Sequence, residues 1–210
     1  MATRSGRFIT LEGGEGAGKT TQATRLCQAL ETAGIAAIRT REPGGSPGAE
    51  LLRGILLGGT VDWSAQAETL LHFAARAEHV AKTIRPALHA GTWVVCDRFY
   101  DSTMAYQGYG QGADKAFIAA QIVLLGTVPD LTLVLDVPDA IATLRRQLRG
   151  GDADRYERLD SAFHARVRAG FREIAAAEPA RCVLLDASGE IESVHTAVMQ
   201  AVWTHRGRGS

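Results

Sequence analysis

The chain has 210 residues, with 23 basic and 23 acidic side chains and a formal net charge of zero. That length suits one α/β domain able to bury most of its apolar surface, and the charge balance offers no basic face to nucleic acid. Apolar stretches fall short of the roughly 18 residues of a membrane span, the N-terminus lacks a secretory core segment, and three scattered cysteines (Cys27, Cys96, Cys182) suit a reducing cytoplasm.

The run Phe8-Ile9-Thr10-Leu11 predicts a first strand, and residues 19–33 have the spacing of a first helix. Between them stands Gly13-Gly14-Glu15-Gly16-Ala17-Gly18-Lys19-Thr20, followed by Thr21. A glycine-rich turn from strand to helix with this spacing is a phosphate loop. Its glycines let backbone N–H groups curl round a phosphate chain, and the helix dipole adds positive potential there. Lys19 can reach the terminal phosphates and the Thr20 hydroxyl can ligate the accompanying Mg²⁺. The chain is therefore expected to bind a nucleoside triphosphate.

Further strands are predicted at Ala36–Thr40, Thr92–Asp97, Leu131–Val137 and Cys182–Asp186. Helices are predicted near 49–57, 64–90, 114–126, 138–149, 157–177 and 190–204. Apolar strands alternating with helices give a parallel sheet covered on both faces, with ligands beyond the carboxyl ends of the strands. One domain over 1–210 accounts for the pattern. Arg41-Glu42-Pro43-Gly44-Gly45, Asp97-Arg98 and Asp186-Ala187-Ser188-Gly189 all fall at those strand ends.

On the 64–90 helix, Phe73 and Arg76 stand three apart and share a face, where a ring beside an arginine could stack a nucleobase and donate to its carbonyls. By spacing alone Phe73 also reads as a core residue. His72 and His79, a heptad apart, read as helix-packing or interface residues. The strand ending at Asp97-Arg98 places a carboxylate and a guanidinium at the ligand edge. Asp97 could hold a magnesium-bound water and Arg98 an acceptor phosphate, although a strand-end ion pair gives the same dipeptide. Ser102, Thr103, Tyr106 and Gln107 follow, a density of polar groups that fits a small pocket. The stretch of about 148–156, with Gly150 and Gly151 between charges, reads as an exposed loop or as a lid.

These segments occur together and in order, with Leu-Leu-His-Phe-Ala-Ala-Arg at 70–76, Asp-Arg-Phe-Tyr-Asp-Ser-Thr-Met-Ala-Tyr-Gln at 97–107, Leu-Asp-Val-Pro at 135–138 and Asp-Arg-Tyr-Glu at 154–157. In this the chain resembles thymidylate kinase of the bacterial type over roughly residues 7 to 205. The resemblance implies a P-loop NTPase fold with a five-stranded parallel sheet and a mobile lid, transfer of the ATP γ-phosphate to dTMP, Mg²⁺, and a homodimer formed through helices near the monophosphate site. It implies that Phe73 stacks the thymine, that Arg76 contacts a thymine carbonyl, that Thr103 or Gln107 reads the ring N3–H, and that Tyr106 lies under the deoxyribose. Arg98 and Arg53 would hold the dTMP phosphate with Glu42 nearby, and Ser102 completes the acceptor set. Because the loop carries Glu15-Gly16 where some members have arginine, Arg149 and Arg155 would supply the lid's charge, Arg155 first. Adenine would lie between Arg145 and the loop after Asp186.

Rival readings are weaker. Another deoxynucleotide or deoxynucleoside kinase would share the loop. A regulatory GTPase would need an Asn-Lys-x-Asp segment, and this chain contains no asparagine. An ATP-driven assembly module would have no use for the 98–107 polar cluster.

Overall fold

Five short strands, β1 (Phe8–Glu12), β2 (Ala37–Arg41), β3 (Trp93–Asp97), β4 (Leu131–Asp136) and β5 (Cys182–Asp186), form one parallel sheet in the order β2-β3-β1-β4-β5. The computed structural model describes residues 6–59, 61–150 and 155–207, without the side chain of Arg149. Every strand boundary lies within one residue of the expected position. β1 and β3 are buried at all positions, as strands covered on both faces must be, whereas edge strand β2 is half-exposed.

Helix α1 (Lys19–Thr32) follows the phosphate loop, and α2 (Pro47–Leu57) begins where the Ser46 side chain accepts from Ala49 N–H. Helix α3 (Ala65–His79) is capped by Ser64 and runs through a π turn at Val80–Ile84 into α4 (Arg85–His89). The predicted 64–90 helix is thus one rod with a π bulge. Residues after β3 form a short α5 (Tyr100–Thr103) that widens into a π-helical segment at Met104–Gly110, a longer helical stretch than the sequence suggested. Helices α6 (Lys115–Leu125), α7 (Asp139–Arg149), α8 (Ser161–Ala177) and α9 (Ile191–Gly207) complete the fold. Helix α8 starts later than position 157 because Asp160 accepts from Phe163 N–H at 2.7 Å and ends the preceding turn. Of the expected lid, residues 151–154 lie outside the described residues.

Two apolar layers clamp the sheet. On one face Leu26, Leu30, Val194, Val198 and Val202 of α1 and α9 pack on Ile9, Leu11 and Leu133. On the other, Phe73, Val80, Ile84, Phe99 and Ile118 pack on Phe8, Val94 and Cys96. Each fully buried large side chain contributes about 1.5–3 kcal/mol. A third cluster joins Phe163, Val167 and Phe171 of α8 to Tyr106 and Tyr156. The register decides where the site falls. Leu11 pairs with Asp97, and Arg41 also pairs with Asp97, so the phosphate loop, the Asp97-Arg98 step and Glu42 emerge side by side at one sheet edge.

Candidate active site

The phosphate loop closes against β4 and α7 so tightly that side chains are excluded. A Cβ on Gly13 (φ 135°) would lie 2.4 Å from the Leu135 carbonyl oxygen, and one on Gly16 (φ 79°) 2.5 Å from that of Ala142. Lys19, the first residue of α1, is buried and curls back so that its Nζ donates to the carbonyls of Gly13 (3.1 Å) and Gly14 (2.7 Å). Burial and then the neighbouring Arg98 charge push the Lys19 ammonium down from its ordinary range. Thr20 Oγ1 donates to Asp97 Oδ2 at 2.5 Å. A hydroxyl and a carboxylate thus meet at the phosphate edge, an all-oxygen pair of the kind a hard divalent cation takes.

Arg98 has φ 72°, and no other described non-glycine residue has positive φ. This left-handed turn lets its N–H donate to Leu11 O at 2.9 Å while the side chain swings back over the loop. The guanidinium donates to Gly13 O, Ser102 Oγ and Tyr106 OH, each at 3.1 Å, and pairs with Glu15. It lies 4.9 Å over the Tyr106 ring, whose hydroxyl donates to Glu15 Oε1 at 2.9 Å. Glu12, which the sequence reading did not single out, supports this turn. Its carboxylate accepts from Phe99 N–H at 2.7 Å and from Ser102 Oγ at 2.5 Å. Burial above all, then the Asp101 charge, pushes its carboxyl up to about 8. An acidic residue ending an otherwise apolar strand was the available signal.

Arg76 sits at the centre of the second compartment, 2% exposed. Its Nε donates to Glu42 Oε2 at 2.7 Å, and Nη2 donates to Phe99 O and Thr103 Oγ1, both at 3.1 Å. Nη1 is buried and has no partner. Glu42 accepts from Arg76 and lies 3.0 Å from His79 Nδ1, so it orients the arginine at the wall of the cavity that it also lines. Arg53 Nη1 donates to Pro43 O at 2.7 Å, which places this arginine at the rim beside Glu42.

Three of the expected site residues have other partners in the fold. Phe73 is not among the residues lining the cavity; it packs in the core with Phe8, Val80, Ile84 and Ile118, and its ring lies 4.8 Å under the Arg76 guanidinium. His72, one turn before Arg76, lines the cavity instead. Successive helical residues point about 100° apart, and spacings of three and four both look like a shared face. Gln107 turns its amide nitrogen to Glu68 Oε1 (2.8 Å) and Tyr156 OH (3.1 Å). Arg155 likewise lies off the cavity lining, with Nη1 2.7 Å from Glu68 Oε2 and Nη2 3.6 Å from Asp62. Glu68 is fully buried, and the Tyr156 hydroxyl also donates to it at 2.7 Å.

Lys19, Thr20, Glu42, Arg53, Arg76, Asp97 and Arg98 face one cavity of about 990 Å³, at the upper end of the range for small-molecule sites, about 300–1,000 Å³. One end is walled by Arg53, His72, Arg76, Thr103, Tyr106 and Gln107. At the other, the Arg145 guanidinium donates to the carbonyls of Ala187 (2.8 Å), Ser188 (3.2 Å) and Gly189 (2.9 Å). Gly16–Thr21, Asp97, Arg98 and Ser102 lie between. The geometry suits two ligands that meet end to end at the phosphate loop.

Among the described residues no helix is long and apolar enough to cross a membrane, no three His, Cys, Asp or Glu side chains cluster as a metal site, and Cys27, Cys96 and Cys182 are buried and free. Comparison with known proteins agrees with the site. A sequence profile described as Thymidylate kinase matches residues 11–198. The thymidylate kinase of Gluconobacter oxydans (strain 621H) is 54% identical over 201 residues, covering 94% of this chain and 94% of that protein. That of Caulobacter vibrioides is 52% identical over 94% of this chain and 96% of its own length. A crystal structure of thymidylate kinase from Ehrlichia chaffeensis superposes with a TM-score of 0.76 at 37% identity, over 94% of this chain and 99% of that one. Profile, relatives and fold coincide over nearly the whole length, and the chain belongs to the thymidylate kinase family.

Proposed function

We propose that this protein transfers the γ-phosphate of ATP to dTMP, releasing ADP and dTDP, as a single domain over residues 1–210. The observation that carries the reading is the single cavity in which a phosphate loop and Arg98 stand between a loop-and-arginine end and the Arg76 compartment. A buried guanidinium nitrogen without a partner in that compartment is a donor prepared for a base carbonyl.

The chemistry asks mainly for positioning and charge neutralisation. The acceptor phosphate dianion is itself the nucleophile, so no side chain needs to act as base. Lys19 and the loop amides of Gly13, Gly14, Glu15, Gly16, Ala17 and Gly18 would hold the β- and γ-phosphates, with Thr20 and Thr21 at the start of α1. Arg98 and Arg53 would grip the dTMP phosphate, with Ser102 and Glu12 fixing the Arg98 turn. Arg76 and Thr103 would meet the base, and Tyr106 the sugar. Arg145 and the carbonyl loop at 187–189 would border adenine.

Thr20 and, through water, Asp97 would hold Mg²⁺, which supplies positive charge to the phosphate oxygens when bound. Arg149 and Arg155 would add the lid's charge, Arg155 on leaving Glu68. The zero net charge supports a reading without nucleic acid or membrane partners, and the free thiols support a cytoplasmic site of action. A homodimer is supported by exposed apolar side chains on helices beside the acceptor end, Leu70 of α3 and Val123 and Leu124 of α6.

The test is a coupled assay of ADP release with dTMP, dUMP, dCMP, dGMP and thymidine as acceptors. A kcat/KM for dTMP well above the rest is expected. Preference for thymidine or for dCMP would overturn the assignment.

A further inference from the structure

We propose that His79 is a positioning residue for acceptor recognition: with Thr40 it fixes the Glu42 carboxylate, and through that carboxylate the aim of Arg76. This rests on the dTMP reading and deepens it. His79 takes no part in the cavity wall. It is the last residue of α3, fully buried, and its ring faces the end of edge strand β2.

The ring is held on both sides. Nε2 lies 2.7 Å from Thr40 Oγ1 in β2, and Nδ1 lies 3.0 Å from Oε1 of Glu42, the residue after the strand. A carboxylate only accepts, so Nδ1 carries a proton and donates it to Glu42. With Nε2 engaged by the Thr40 hydroxyl, the imidazole cannot turn without giving up both contacts. Each oxygen of Glu42 then has its own partner, Oε1 with His79 and Oε2 with Arg76 Nε at 2.7 Å. Rotation of that carboxylate would carry Oε2 out of line with the Arg76 N–H. The fork that also reaches Phe99 O and Thr103 Oγ1 would tilt with it. Arg76 Nη1, buried and without a partner, is the nitrogen whose direction this relay sets.

The backbone is shaped to admit the ring. Gly45 (φ 84°) passes so close that a Cβ there would lie 2.4 Å from His79 Nε2 and 2.5 Å from Thr40 Oγ1. Thr83, in the π turn that follows His79, donates to Gly45 O at 2.7 Å. The segment 41–45 is thus clamped to the end of α3 at two places. Filling space alone does not call for histidine here, since an apolar side chain would do so with no polar atoms to satisfy. A buried relay with every member partnered instead fixes one geometry.

Three replacements take the relay apart. Asparagine places an amide nitrogen as many bonds from Cβ as Nδ1 and can still donate to Glu42. Glutamine reaches as far as Nε2 and can meet only Thr40, and leucine meets neither. Steady-state kinetics at saturating ATP should show KM for dTMP raised about threefold to tenfold in His79→Leu and His79→Gln, the effect of one ordinary hydrogen bond. Both kcat and KM for ATP should stay within about twofold, a selectivity that general loosening of the fold would not produce. His79→Asn should bring KM for dTMP back to within about twofold of the parent. In an Arg76→Lys background His79→Leu should change KM less than about twofold, because the group it aims is gone.

Melting curves establish that each variant is folded, and dTMP-induced thermal shifts measure binding independently. A folded His79→Leu with parental KM and parental thermal shift would overturn the proposal. Equal effects of His79→Leu in both backgrounds, or an asparagine variant no better than leucine, would do the same. Should His79→Leu fail to fold, His79→Gln decides on the same criteria. If the parent protein itself prefers another monophosphate, the dTMP reading fails while the same variants, scored on that substrate, still judge His79.

Discussion

Replacing Arg76 by lysine tests the acceptor compartment most directly. Alanine would be the wrong choice, because it would leave Glu42 buried (3% side-chain exposure) with His79 alone. Breaking a buried ion pair in that way costs about 3–5 kcal/mol and would confuse folding with binding. Lysine keeps a cation within reach of Glu42, its Nζ falling near the Arg76 Cζ position, one bond beyond the Nε that donates to Glu42 at 2.7 Å. It cannot reproduce the planar fork that also reaches Phe99 O and Thr103 Oγ1 and leaves Nη1 for a ligand. The loss is then one charge-assisted hydrogen bond to a buried base carbonyl, about 1.5–3 kcal/mol, or about tenfold to 150-fold in kcat/KM for dTMP. Most of it should appear in KM, because the base contact exists before as well as during transfer. The assay is ADP release at saturating ATP with dTMP varied, beside a melting curve. A folded Arg76→Lys whose KM and kcat both stay within twofold of the parent would refute a base-binding role for the buried nitrogen.

Other perturbations separate the remaining parts. Lys19→Ala should lower kcat a few hundred-fold, the cost of about 3–4 kcal/mol for one transition-state contact, with an ordinary melting curve; near-parental turnover would remove Lys19 from the chemistry. Phe73→Ala should destabilise the fold by about 3–5 kcal/mol, as core phenylalanines do, while KM for dTMP moves less than fivefold; a stable variant with a large KM defect would return Phe73 to the base. Arg155→Ala should lower kcat far more than it changes dTMP affinity, with Arg149→Ala the milder of the two; normal kcat with a lowered melting temperature would make Arg155 an anchor for Glu68 alone. Glu12 has a carboxyl raised to about 8 in the fold against about 4.5 unfolded, so the native state holds the extra proton and stability falls as pH rises through that window. The melting temperature should therefore decline from pH 6.5 to 8 in the parent and flatten in Glu12→Gln; identical slopes would show that Glu12 titrates near its ordinary value.

The sheet was legible because buried parallel strands write themselves as short apolar runs, and the phosphate loop because only glycines survive its close approach to Leu135 and Ala142. Strand order was not legible. It depends on which strands pair, and it is the Leu11–Asp97 register that brings two distant motifs together. The π-helical stretch at Met104–Gly110 escaped notice because a widened turn has no period of its own, yet it aims Tyr106 and Gln107. That Phe73 packs in the core while His72 lines the cavity was not legible, because spacings of three and four both read as a shared helix face. The stripe Glu68, His72, Arg76 and His79, all buried on one helix, was visible in the sequence as a polar face but not as an inward one. Glu68 itself became intelligible only with its partners Gln107, Gln111, Arg155 and Tyr156, which are contributed by segments far along the chain.

The left-handed backbone at position 98 sets stability against activity at a single residue. Glycine adopts φ 72° without a Cβ penalty, whereas any other side chain there carries roughly 1 kcal/mol of strain or more. Among replacements, Arg98→Gly should therefore be the best tolerated by the backbone while lacking the guanidinium that the site is built around. In a comprehensive mutational survey scored once for cellular abundance and once for growth dependence on the enzyme, position 98 should be where the two rankings diverge most, with glycine ranking high on abundance and at the bottom on function.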